Sequence, residues 1–101
     1  MKETFEADLW VNGAPMDMNP FVEEFISRTV TGAVRCLKGG EDVTDLRLRV
    51  DEGTVTLVVN GTELEITPFP NDVIANTFTA LVSTLKGVDK VNSLRIDVKV
   101  L

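Results

Sequence analysis

Phe5, Ala7, Leu9 and Val11 alternate with Glu6, Asp8 and Trp10, the period of a strand with one buried face. Asn12-Gly13 follows, the residue pair that best tolerates the two positive φ angles of a type I′ hairpin turn. A two-residue loop sets Val11 opposite Ala14, Leu9 opposite Met16 and Ala7 opposite Met18 on one face. The other face then carries Asp8 opposite Asp17 and Trp10 opposite Pro15. The period next lengthens. Val22, Phe25, Ile26, Val30, Ala33, Val34 and Leu37 form a helical stripe, preceded by Asn19 as N-cap and Pro20 at the first helical position. Lys38-Gly39 supplies a stop, with a cation at the negative end of the helix and a residue suited to positive φ. Val43 to Val50 alternates again and points Leu46, Leu48 and Val50 inward.

The same pattern then recurs. With the chain shifted by 48 residues, Leu9 to Val50 falls on Leu57 to Val98 without a gap, and 17 of the 42 positions are identical. Unrelated segments of that length share roughly two or three, so the chain reads as a tandem duplication. In the second copy Val55, Leu57 and Val59 face Thr62, Leu64 and Ile66 across Asn60-Gly61. Thr67 takes the N-cap and Pro68 the first helical position, with Pro70 in the same turn. The helical stripe is Val73, Ile74, Phe78, Leu81, Val82 and Leu85, and Lys86-Gly87 closes it. A last strand, Val91 to Val100, turns Leu94, Ile96, Val98 and Val100 inward. The expected fold class is therefore α+β, two ββαβ units with six strands and two helices about a pseudo-two-fold. The helices should pack on one face of a mainly antiparallel sheet. Residues 1–101 make one domain of two repeats, 3–50 and 51–101. Asp51-Glu52-Gly53 is too short to cross a sheet, so the third and fourth strands should form a hairpin. One continuous sheet and a pair of packed half-sheets both fit the pattern.

Composition narrows the chemistry. Ten Lys and Arg against sixteen Asp and Glu leave a net charge of −6, which argues against nucleic acid and against an anionic membrane surface. The chain has no His and no Tyr and a single Cys, Cys36, so it cannot form an internal disulfide, a Cys/His zinc site or a Ser-His-Asp triad. No catalytic motif is recognisable and no cofactor is expected. Met1-Lys2-Glu3-Thr4-Phe5-Glu6 contains no apolar leader core, and no run approaches the roughly 18 apolar residues of a spanning helix. A cytoplasmic location is expected. Asn60-Gly61-Thr62 matches a glycosylation sequon, but the turn accounts for it.

Most positions shared by the two copies have structural causes; a few invite another reading. Thr29 and Thr77 lie within the stripes and suit close helix–helix approach, the hydroxyl bonding back to a carbonyl. Thr31 and Thr79 should face solvent. Arg47 and Arg95 alternate out of the core, where cross-strand ion pairs with Glu6, Asp8, Asp17, Glu63 or Glu65 would occupy them; anion binding by two related arginines is the sharper alternative. Asp8 opposite Asp17, beside Glu6, is the best candidate for a divalent cation, because facing carboxylates repel unless neutralised. Glu41-Asp42 with Asp45, and Asp51-Glu52, are acidic loop clusters that match no EF-hand spacing. Trp10, the only Trp, falls on the face away from the helices, either as a contact surface or covered by N-terminal or loop residues. Cys36, flanked by Gly32 and Gly40, reads as a small semi-buried filler.

The stretch Val11-Asn12-Gly13, Asn19-Pro20-Phe21-Val22 and Leu37-Lys38-Gly39 resembles a module of small archaeal and bacterial proteins with a V-N-G…N-P-F-V…L-K-G pattern. The second copy, with Thr67-Pro68-Phe69-Pro70, is a more diverged version. The resemblance implies homodimers among single-copy relatives and carries no assigned activity, so no functional residue follows from it. The expectation is a non-enzymatic interaction or assembly module, self-associating or bound to a protein partner through a sheet edge or the Trp10 face. The alternative is a small-ligand or divalent-cation-binding protein using the acidic outer face or the paired arginines.

Overall fold

Asn12 and Asn60 both adopt a φ of 51°, with Gly13 at 82° and Gly61 at 84°, so each Asn-Gly pair closes a two-residue hairpin. A third such turn is made by Glu52 and Gly53, at φ 46° and 84°. The computed structural model describes residues 3–101. Its elements are β1 (Phe5–Val11), β2 (Ala14–Met16), α1 (Pro20–Arg35), β3 (Asp45–Asp51), β4 (Thr54–Val59), β5 (Thr62–Glu63), α2 (Pro68–Ser83) and β6 (Ser93–Val100). Met1 and Lys2, part of the N-terminal reading above, lie outside the described residues.

The fold is α+β, two helices with one continuous six-stranded sheet in the order β2-β1-β6-β3-β4-β5, every ladder antiparallel. The half-sheet alternative is thereby settled. The order interleaves the two halves: β6 lies between β1 and β3, and β3 between β6 and β4. Pairing recurs at the 48-residue shift, for Leu9 faces Ile96 as Leu57 faces Leu48. The expected β3–β4 hairpin is present, with Asp51 opposite Thr54.

The inward residues of the four long strands supply most of the core: Leu9, Val11, Leu46, Leu48, Val50, Val55, Leu57, Val59, Leu94, Ile96 and Val98. The helices add Ile26, Val30, Val34, Ile74, Ala75, Phe78 and Val82 from one side. Helix α1 lies over β1 and α2 over β4, and among the described residues the helices stand apart instead of packing closely. The helix–helix approach expected at Thr29 and Thr77 is therefore absent, although the Thr29 hydroxyl does donate to the Phe25 carbonyl (2.7 Å). Thr31 also departs from expectation, because it is 1% exposed and lies beside buried Val30 and Val34. Thr79 is half-buried. Helix α1 buries a wider arc than its apolar stripe, taking in Ser27 and Thr31.

Each helix starts at its expected Pro, but both stop about a turn before the Lys-Gly pairs expected to end them. Helix α1 ends at Arg35 and α2 at Ser83, with Cys36 and Thr84 as C-caps. Asn19 accepts from the Val22 amide (2.8 Å), whereas Thr67 holds the N-cap position without a side-chain hydrogen bond. Beyond the ends, Gly39 and Gly87 take φ values of 95° and 87°.

Candidate functional site

Side chains that alternate out of the core cover the sheet face away from the helices, and the ladder register arranges them in rows. One row runs Pro15, Trp10, Arg95, Arg49 and Thr56. The next runs Asp8, Asp97, Arg47, Val58 and Glu63. Arg95 is the pivot of the two. Its Nε and Nη2 donate to Asp97 Oδ1 (3.1 Å) and Oδ2 (2.7 Å), and its Cζ lies 4.5 Å from the Trp10 ring centroid. The fork–fork bond from Asp97 and the charges of Asp97 and Asp8 hold the Arg95 pKa above its ordinary value, against the small desolvation of the site.

The ion pair of Arg95 thus runs along its own strand, two residues on, and not across to the acids expected from sequence. Arg47 faces Asp97 in the ladder, but that carboxylate is engaged with Arg95. Arg49 stands directly opposite Arg95, like charge against like. Neither Arg47 nor Arg49 makes an ion pair among the described residues. Beside Arg49 and Arg95 is a shallow depression of about 390 Å³, lined also by Trp10, Gly13, Asp51 and Ser93. Trp10 is half-buried, with the Arg95 guanidinium of the neighbouring strand over its ring.

The Asp8–Asp17 pairing does not form. Strand β2 ends at Met16, before the chain turns towards α1, so Asp17 has no ladder position, and the residue facing Asp8 is Asp97. The hairpin register is as expected as far as Leu9–Met16 and fails beyond it because Met18 and Asn19 lead into the helix cap. Among the described residues no three acidic or thiol side chains come together as a cation cluster. Glu41 accepts instead from the Gly39 amide (2.9 Å), and Glu52 is a turn residue. Cys36 is exposed at the end of α1, its thiol donating to the Gly32 carbonyl, and is not a semi-buried filler.

The helical layer carries a second unusual surface. Phe21 is 73% and Phe69 78% exposed; Phe25 and Val73, one turn further along each helix, are both 47% exposed. Phe21 and Phe25, at the start of α1, share a small apolar depression with Leu81, in the last turn of α2, and Leu85 just beyond it. Cys36 and Leu37, after α1, share another depression with Thr67 and Pro70 at the start of α2, so the helices run antiparallel. Phe25 and Val73 were expected in the buried stripes. Phe25 lines the depression between the helices without being covered there, and Val73 is as exposed on α2.

Three features escaped sequence reading. That Arg95 and Asp97 sit two apart on one strand face was a readable signal for their ion pair. That Arg49 meets Arg95 was not, since it depends on strand order. The exposure of Phe21 and Phe69 was readable, because both lie off the helical stripe. The sheet and its outer face define a two-layer α+β protein; no family model, curated protein or solved structure matches the chain.

Proposed function

We propose that the protein is a non-enzymatic interaction module that associates with a second copy of itself through the helical layer. The observation that carries this reading is the exposure of Phe21, Phe25, Phe69 and Val73, where the other large apolar side chains among the described residues, apart from Leu101, are buried or partly buried. Phe21 and Phe69 occupy corresponding positions in the two halves, as do Phe25 and Val73. Paired apolar spots suit a partner with matching two-fold symmetry, which a second copy supplies. The sheet edges are less suited. Strand β2 has three residues, one of them Pro15, and β5 has two, so both edges offer few free backbone groups for strand addition. In this reading the chain is a fused pair of ancestral units, and association brings two fused pairs face to face.

Sedimentation equilibrium tests it. The wild type is expected to dimerise, the double substitution Phe21→Asp with Phe69→Asp to be monomeric and folded, and Trp10→Ala to dimerise as the wild type does. A wild type that stays monomeric at every accessible concentration defeats the proposal.

A further inference from the structure

We propose that Arg47, Arg49 and Arg95 form a binding site for the phosphate group of a small molecule on the sheet face opposite the helices. Arg49 faces Arg95 and Thr56 across its two ladders, so no carboxylate stands opposite it. The one carboxylate in register with Arg47, that of Asp97, is already bound by two hydrogen bonds to Arg95. Arg47 and Arg49 therefore present guanidinium groups without a partner among the described residues. Arg95 is held by Asp97 on one side and the Trp10 ring on the other, with Nη1 making no hydrogen bond among the described residues. One pre-oriented arginine flanked by two unpaired ones is a donor set suited to the tetrahedral oxygens of phosphate.

The arrangement arises where the halves differ. Arg47 and Arg95 correspond at the 48-residue shift, whereas Arg49 corresponds to Asp97, so a base stands in one half where an acid stands in the other. The surroundings set the ligand's size. Asp8, Asp51 and the net charge of −6 oppose a long polyanion, leaving a compact phosphate or phosphomonoester as the species that gains more than it loses. The depression beside Trp10 has room for a small organic group on that phosphate.

Trp10 is the only Trp and reports on the site directly. Its fluorescence, followed while inorganic phosphate or phenyl phosphate is added at constant ionic strength set by chloride, is expected to change and saturate. Arg47→Gln and Arg49→Gln should each weaken binding about tenfold, the loss of one charge-assisted contact, while Lys86→Gln at the end of the second helix changes nothing. Tighter binding of phenyl phosphate than of phosphate identifies a phosphomonoester; equal binding identifies phosphate itself. The proposal is overturned if neither probe gives a saturable change in fluorescence or in the arginine Nε–H resonances. It is equally overturned if binding survives undiminished in the double Arg47→Gln, Arg49→Gln variant.

Discussion

At Asn12 the backbone needs a positive φ, and the side chain reaches from the first hairpin turn to the start of β6. Its Oδ1 accepts from the amides of Asn92 (2.8 Å) and Ser93 (3.0 Å), and its Nδ2 donates to the Lys90 carbonyl (2.7 Å). Asn60 repeats the arrangement on β3, accepting from Thr44 and Asp45 and donating to Asp42. Glycine would suit the φ but not the clamp. Asn12→Gly is therefore expected to cost roughly 1–3 kcal/mol in urea denaturation, where a residue needed only for its turn would cost nearly nothing. The Asn-Gly turns were legible from local sequence. The clamps were not, since each joins groups about 80 or 16 positions apart that only the strand order brings together.

Two further positions decide stability one residue at a time. A Cβ on Gly40 would overlap the Val34 carbonyl oxygen, so Gly40→Ala should lower the melting temperature more than Gly32→Ala, where the space is open. Glu3 accepts from Arg35 Nη1 (2.9 Å) and Nη2 (2.6 Å), and this bond holds its carboxyl below the ordinary 4.5. A depressed carboxylate stabilises the fold above its unfolded value, and the contribution is lost as pH falls through the lower folded value. Glu3→Gln should therefore flatten the decline of the urea midpoint on acidification below about 4.5, measured against wild type.

Helices α1 and α2 share their length and Pro start but not their caps. Asn19→Ala should cost about 1 kcal/mol by chemical denaturation and Thr67→Ala close to nothing, because only the first side chain accepts a backbone amide. Inside the first turn, Glu23 Oε2 accepts from the Ala7 amide (3.0 Å) and Asn71 Oδ1 from the Val55 amide (2.8 Å). These corresponding bonds seat each helix on its own strand. Sequence periodicity located both helices and all six strands, because burial on one side of a sheet imposes a period on the residues themselves. It misjudged Thr31, Phe25 and Val73 because a stripe gives the centre of a buried face and not its width. The candidate site suffered most. Trp10 and Arg95 were visible as outward residues, yet what they touch depends on the neighbouring strand.

Interleaving makes the whole sheet depend on contacts between distant parts of the chain. Phe5 pairs with Val100, and β3 would have no neighbour on its inner side without β6. Residues 1–52 alone contain β1, β2, α1 and β3, but β1 and β3 are not adjacent in the sheet. That half is expected to be unfolded as a monomer and to gain structure only by pairing with a second copy or with the other half. Circular dichroism across a concentration series, with and without residues 53–101, checks this.

The β1–β6 ladder also brings Thr4 beside Leu101, whose amide donates to the Thr4 carbonyl (2.9 Å). At the 48-residue shift, the junction there corresponds to the Glu52-Gly53 turn that joins β3 to β4. A circular permutant that links the end of β6 to the start of β1 through a two-residue Asn-Gly loop and opens the chain between Glu52 and Gly53 would exchange a real corner for its missing counterpart. Every strand would keep its neighbours.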